Sequence, residues 1–257
     1  MAKRAAYSSR RRRKGSGGGG VLYRILSALL IFVCVTTALT MFFRVRTVTV
    51  TGLERYTEED LLDAAGVKVG DNLFFLNKAE MSRRIIRDLP YIEWLHIRRS
   101  YPDRLLIEAR ECGTPLAAAQ DGVVWLVSPS GKIVERTEDA RGYGTITGCP
   151  LLSPSVGTQI ALPAEYAARQ DSLLALLSAL ADAGILQDVN AIRLDDPVCI
   201  RMEYDGRLTV KLPYGADYAY KLRALEAYLE TGVVQEGTVG TFDMTKEEKN
   251  YFQPGVQ

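Results

Sequence analysis

The stretch that decides the fold is Val45–Glu111, VRTVTVTGLERYTEEDLLDAAGVKVGDNLFFLNKAEMSRRIIRDLPYIEWLHIRRSYPDRLLIEARE. It opens in alternation, with Val45, Thr47 and Thr49 on one face and Arg46, Val48 and Val50 on the other, and Gly52 ends the run. That is a strand pattern. Thr57-Glu-Glu-Asp60 is a helix start in which Thr57 can cap the amide three residues on. Leu61, Leu62 and Ala65 then face inward, and Gly66 stops the helix. Gly70-Asp-Asn72 is a turn, and Leu73-Phe-Phe-Leu76 reads as a buried plug. Asn77-Lys-Ala-Glu80 opens a second helix whose Met81, Ile85 and Leu89 share one face, with Pro90 at its end. Tyr91 to Arg99 is a second strand. Pro102 fixes φ in the turn Ser100–Asp103, and Arg104 to Arg110 is a third strand with Leu105, Ile107 and Ala109 alternating inward. The order is β-α-α-β-β.

Upstream lies Ile25–Phe43, ILSALLIFVCVTTALTMFF, without charge, Gly or Pro. A helix of this length rises about 1.5 Å per residue and nearly crosses a ~30 Å hydrocarbon layer. Residues 21–43 are therefore expected to span a lipid bilayer once. Lys3, Arg4, Arg10–Lys14 and Arg24 precede the run, and no acidic residue occurs before Glu54. This bias holds a basic tail, residues 1–20, in the cytoplasm and exports the remainder, a type II arrangement in the cell membrane. A cleaved signal peptide would have a shorter apolar region and a small-x-small site, and Thr40-Met-Phe-Phe-Arg44 offers none. Gly17 to Gly20 reads as a flexible spacer rather than a phosphate loop, because no Gly-Lys-Ser/Thr follows.

Downstream, Leu116–Ala119 and the apolar run Val123–Val127 flank Asp121-Gly122, a hairpin turn. Lys132–Val134 follows. Pro163 begins a helix carrying Leu173, Leu174, Leu176, Leu177 and Leu180, ended by Gly184. Ala191–Leu194 is a short strand. Cys199–Tyr204, Asp205-Gly206 and Leu208–Leu212 form a hairpin. Tyr218, Leu222, Leu225 and Leu229 make one helical face, with Gly232 after it. Thr238–Met244 is expected to be the last strand, at a sheet edge, and Lys246–Gln257 a polar tail. The fold class is α+β: a membrane helix, a β-α-α-β-β domain over residues 44–116, and a mostly antiparallel β domain with two helices over 117–245.

Composition excludes several functions. The formal net charge is +1, which gives no global field to steer nucleic acid. The first 24 residues are strongly basic, so the remainder is acidic overall. Cys34 lies in the apolar run. Cys112, Cys149 and Cys199 are scattered without a CxxC, so no metal set is read, and one pair could bridge. His96 is the one histidine and sits mid-strand beside Trp94, so a Ser-His or Cys-His system has a single candidate base. No HExxH is present and no SxxK stands in a recognised setting. Asp195-Asp196 and Glu247-Glu248 read as solvated turns and tails. No catalytic, cofactor or metal residue is assigned.

In this order the motifs resemble the FtsQ/DivIB family of bacterial cell-division proteins, whose first exported unit is a POTRA domain. The family's V-x-x-V-x-V-x-G is matched by Val45-Arg-Thr-Val48-Thr-Val50-Thr-Gly52, and its G-x-N-L-F by Gly70-Asp-Asn72-Leu73-Phe74. Leu89-Pro90-Tyr-Ile92 matches its LP step, and Arg99-Ser-Tyr-Pro102-Asp-Arg-Leu105-Leu-Ile107-Glu-Ala-Arg-Glu111 its R-x-x-P-x-x-L-x-I-x-x-x-E. After that Glu the family has Arg, one residue and Pro; this chain has Cys112-Gly-Thr-Pro115. The resemblance implies a non-catalytic scaffold of the divisome at the division septum, without cofactor. Its C-terminal region would bind the small coiled-coil proteins FtsB/DivIC and FtsL, and its POTRA domain other divisome proteins. The partner surface is placed at region level on Leu222, Leu225, Leu229, Val239, Thr241, Phe242 and Asp243. The competing reading is a membrane-anchored cell-envelope enzyme or sensor domain.

Overall fold

The computed structural model describes residues 18–230, 237–246 and 251–255. The chain divides into two compact units: Met1–Val48 with Val69–Leu76 and Arg99–Leu105, and Thr49–Lys68 with Asn77–Arg98 and Leu106–Gln257. The basic tail ahead of residue 18, the Gly232 helix stop and Glu247-Glu248 lie outside the described residues.

Helix α1, Gly18–Phe42, contains the apolar run as far as Phe42, and Gly20–Phe42 is long and apolar enough to cross a membrane, with none of it buried in protein. Gly18–Gly20, expected as a spacer, are its first turn. Strand β1 is Thr47–Thr51. Helix α2, Glu58–Ala65, starts on the expected cap: Thr57 Oγ1 accepts from the Asp60 N–H at 3.1 Å, and the Asp60 carboxylate accepts from the Thr57 N–H at 3.0 Å. That reciprocal pair satisfies two amides left over at a helix start. Gly66 closes α2 in the left-handed region at φ +66°. Asn77 caps α3, Lys78–Asp88, through the Glu80 N–H at 3.2 Å, and Met81, Ile85 and Leu89 are all buried. Strands β2, Ile92–Ser100, and β3, Arg104–Glu111, complete a three-stranded sheet of order β1-β3-β2. The plug is corrected: Leu73 is buried, but Phe74 and Phe75 are exposed.

The rest is a nine-stranded sheet. Its strands are β4, Leu116–Gln120; β5, Val123–Val127; β6, Ile133–Thr137; β7, Thr145–Thr147; β8, Val189–Arg193; β9, Cys199–Tyr204; β10, Leu208–Pro213; β11, Gly240–Asp243; and β12, Tyr251–Pro254. The order is β12-β11-β10-β9-β8-β7-β4-β5-β6. Five pairings are antiparallel; β10-β11, β4-β7 and β7-β8 are parallel, so the sheet is mixed.

Leu173, Leu176, Leu177 and Leu180 of α4, Ala167–Asp182, and Leu222 and Leu225 of α5, Tyr218–Glu230, form the main core with Ile192, Met202, Val210 and Phe242 of the sheet. At β4 and β5 the opposite face is covered too, where Tyr91 packs with Ala117, Val124, Leu126 and Val134. Burial on both faces explains why Val123–Val127 is apolar throughout, whereas one-sided β10 alternates Leu208, Val210 and Leu212 with half-exposed Thr209 and Lys211.

Two strands differ from expectation. Sequence reading assigned no strand at β7, whose three residues are too few to display a period and lie among glycines. A Cβ on Gly144 would meet the Val189 carbonyl oxygen at 2.2 Å, and one on Gly148 the Asp195 nitrogen at 2.3 Å. The edge assignment is also corrected. Strand β11 is interior, between β10 and β12, and the edge belongs to β12, inside the stretch expected to be a tail. Its four residues YFQP carry too little apolar pattern to announce a strand.

Candidate functional site

The two ends of the nine-stranded sheet are the regions able to accept another strand, since an edge carries unpaired amides and carbonyls. At the β12 end, α5 is seated by Leu222 and Leu225, 2% and 1% exposed. Asp217 starts the helix by accepting from the Tyr220 N–H at 3.0 Å. The buried Lys221 donates to the Lys246 carbonyl at 2.9 Å, tying α5 to the chain leaving β11. Phe242, at the centre of β11, is 1% exposed and lies against Tyr228, with ring centroids 6.0 Å apart, and against Phe252 of β12 at 4.7 Å. Gly240 makes room for that second ring, because a Cβ there would lie 2.5 Å from Phe252 Cε2.

Strand β12 pairs antiparallel with β11: Gly240 opposite Pro254, Thr241 opposite Gln253, Phe242 opposite Phe252, Asp243 opposite Tyr251. The Gly255 N–H donates to the Val239 carbonyl at 2.8 Å. Backbone groups alternate in direction along an antiparallel ladder, so Tyr251 and Gln253 bond inward. The Phe252 N–H and carbonyl, and the Pro254 carbonyl, point away from the sheet. Tyr251 is an exposed side chain, with the Lys246 amine 5.2 Å from its ring centroid.

The sequence-assigned surface thus separates into two layers. Leu222, Leu225 and Phe242 are core residues beneath the edge, out of a partner's reach. Leu229 and Thr241 are half-buried, and Val239 is 49% exposed. Asp243 is occupied locally: the Thr245 hydroxyl donates to it at 2.6 Å and the Thr245 N–H at 3.0 Å, holding its carboxyl below the usual range. Sequence reasoning missed Phe252. Its signal was an apolar side chain at the expected period from nothing else, so only the fold locates it.

The β6 end is engaged at its start, Ile133. The Ile133 N–H donates to the Thr158 carbonyl and the Gly157 N–H to the Ile133 carbonyl, both at 2.8 Å. The Tyr91 hydroxyl donates to Glu135 at 2.5 Å, and the Arg55 guanidinium sits 3.3 Å from the same carboxylate and 3.9 Å from the Tyr91 ring centroid. Glu111 accepts from the Arg55 and Tyr56 amides at 2.8 and 3.0 Å. Lys132 reaches the Ile86 and Ile92 carbonyls at 3.3 and 3.4 Å. Burial raises the Tyr91 hydroxyl well above its ordinary pKa, pushes the Cys112 thiol up to about 11 and lowers the Lys132 amine.

A groove of about 550 Å³ nearby brings together Glu93, Arg110, Glu111, Ser130, Ser178 and Asp182. Neither serine there has a histidine among the groove's lining residues. His96 is exposed on β2, stacked on Trp94 with centroids 5.9 Å apart. The four cysteines are unbridged. Among the described residues, no group of three or more His, Cys, Asp or Glu is placed to hold a metal ion.

Residues 43–111 match the family described as POTRA domain, FtsQ-type, and residues 117–245 match the C-terminal domain of cell division protein FtsQ/DivIB. The chain is 31% identical over 137 residues to a cell division protein FtsQ of Anaeromyxobacter sp. (strain K), covering 49% of this chain and 46% of the relative. It is 28% identical over 190 residues to FtsQ of Syntrophotalea carbinolica, covering 72% and 64%. With DivIB of Clostridium botulinum (strain Hall) it shares 22% identity over 241 residues, covering 90% and 89%. The chain therefore spans about half to two thirds of the first two relatives and nearly all of the third. Two adjoining domain matches in the order of the fold, behind an apolar helix able to anchor them, make the chain a membrane-anchored member of the FtsQ/DivIB family of cell-division proteins.

Proposed function

We propose that the protein is a non-catalytic scaffold of the divisome that takes the small coiled-coil division proteins, FtsB/DivIC-like and FtsL-like, on the outer edge of β12. Helix α1 holds it in the cell membrane with the basic tail in the cytoplasm, and the two domains act outside, at the septum. The POTRA domain serves other divisome proteins. The observation that carries this reading is the outward-facing backbone of Phe252 and Pro254 on a strand whose side chains anchor it from behind. An extended partner segment adds a strand there through main-chain hydrogen bonds, while exposed side chains such as Val239 and Tyr251 set its preference. The domain limits are proposed as residues 44–116 and 117–245, with β12 as a functional extension of the second.

The test is capture of the DivIC-like and FtsL-like partners by the full-length protein in detergent. Phe252→Pro removes the outward N–H, and Gly240→Ala presses on the Phe252 ring and on the Gln253 carbonyl, displacing the edge strand from behind. At roughly 1 kcal/mol per backbone hydrogen bond, loss of the one N–H in Phe252→Pro corresponds to about a fivefold loss of affinity, and displacement of all three outward groups by Gly240→Ala to about a hundredfold. Undiminished binding by both moves the site elsewhere, and no binding by the unaltered protein returns the enzyme or sensor reading.

A further inference from the structure

The first compact unit leaves an apolar patch that the partner-binding reading does not use. Phe42, Val69, Phe74, Phe75 and Tyr101 are 66%, 74%, 53%, 71% and 54% exposed. They come from three separate stretches of chain, all in one unit with α1. Ring contacts join Phe42 and Tyr101 through Phe43, and Phe74 to Phe75, and exposed apolar side chains gathered in one unit mark an interaction site.

What covers it is indicated by how it is fastened. The Asn72 amide donates to the Leu39 and Thr40 carbonyls, both at 3.3 Å. Those carbonyls belong to the last turn of α1, where the Leu39 carbonyl also accepts from the Phe43 N–H at 3.3 Å and the Thr40 carbonyl from Arg44 Nε at 3.5 Å. The Leu73 N–H donates to the Phe43 carbonyl at 2.7 Å, and Val45 exchanges backbone bonds with Asp71 and Gly70 at 2.8 Å. Asn72 also accepts from the Phe74 N–H at 2.9 Å, which sets the turn that points Phe74 and Phe75 outward. On the other side, Tyr101 meets Phe43 edge to face with centroids 5.5 Å apart. Both loops are thus clipped to the end of the anchor.

The height of that end follows from the anchor. Gly20–Phe42 is 23 residues, and at 1.5 Å each it rises about 34 Å, a little more than a hydrocarbon layer of ~30 Å. Phe42 therefore emerges at the boundary between acyl chains and headgroups. Aromatic side chains suit that depth, and exposed Arg44 and Arg46 stand beside it, where lipid phosphates lie. We infer that Phe74, Phe75 and Tyr101 seat in the outer face of the same bilayer that α1 spans, so that the first compact unit meets the membrane through three apolar contacts and not through the helix alone. The Asn72 of the G-x-N-L-F motif is then a positioning residue that caps the anchor and aims the two phenylalanines. The inference rests on α1 crossing the bilayer and is independent of partner binding.

The test uses the full-length protein in nanodiscs of phosphatidylglycerol and phosphatidylethanolamine carrying brominated acyl chains. The emission added by Phe75→Trp is read against the unaltered protein, and Leu30→Trp in the anchor serves as a second probe. The inference expects the Phe75→Trp emission to be quenched by bromines near the glycerol end of the chains and protected from aqueous iodide. Quenching by iodide alone places the patch in water, and resistance to both quenchers places it under protein; either overturns the inference. If Leu30→Trp also escapes the bromines, the anchor reading itself has failed.

Discussion

At one end of the nine-stranded sheet β6 is held twice, and at the other, among the described residues, β12 has β11 as its one neighbour. The seal on β6 is first a backbone one, from Gly157 and Thr158, and then a side-chain one, with Tyr91 and Arg55 on Glu135. Those two residues are contributed by the stretch around the β-α-α-β-β domain, so the closed end is also where that domain is fixed to the sheet. Among the described residues strand β12 pairs with β11 alone, and the aromatic pair Phe242–Phe252 holds it from behind. The contrast shows that one edge is engaged by backbone and side-chain bonds from other segments, whereas among the described residues the other is supported from behind alone.

The comparison can be broken most severely from beneath. Phe242→Ala removes a fully buried ring shared by β11 and β12, and should cost about 3–5 kcal/mol of stability, read as a fall in the unfolding midpoint. A cost below 1 kcal/mol would mean that the open edge does not depend on its core.

Next is the closed edge. Tyr91→Phe leaves Glu135 without its hydroxyl donor and should cost about 1–3 kcal/mol, with faster amide exchange in β6 and not in β12. Its pH signature has a definite sign. An unfolded tyrosine ionises near pH 10, whereas burial and the neighbouring carboxylate keep Tyr91 protonated above that in the fold. The unfolded state then binds fewer protons, so stability present below pH 10 is lost as the pH rises beyond it. Burial raises Tyr56 in the same direction, so the variant should show a reduced alkaline loss, and an unchanged slope would remove Tyr91 from the account.

The smallest effect sharpens the open side. Val239→Asp alters an exposed side chain and should leave stability within about 0.5 kcal/mol. In the same partner-capture assay it should weaken binding less than Phe252→Pro. A larger loss would mean that side chains, and not the strand's backbone, carry recognition.

The β-α-α-β-β domain was legible because each boundary has its own local chemistry. Thr57 and Asn77 are caps whose oxygens bond amides three residues away, and Met81, Ile85 and Leu89 repeat at the helix period. The hairpin Cys199–Pro213 was legible for the same reason, with Asp205 and Gly206 both at positive φ in its turn. The errors fall where short segments depend on distant ones. Strand β7 exists because β4 and β8 lie on either side of it, and Phe74 and Phe75 face outward because Asn72 is pinned to α1.

The sequence by itself determined the apolar helix, the β-α-α-β-β order and the family, since hydropathy, capping and turn chemistry act over a few residues. Tertiary structure alone decided which strand became the edge. Leu222, Leu225 and Phe242 are apolar enough to read as a surface for a partner or as a core, and only the packing of α5 on the sheet assigns them to the core. Tyr251–Pro254 carries almost no strand signal of its own; it is held by pairing with β11 and by Phe252 lying over Gly240. Cross-strand pairing and ring packing join residues from separate elements, so no local window of sequence contains them.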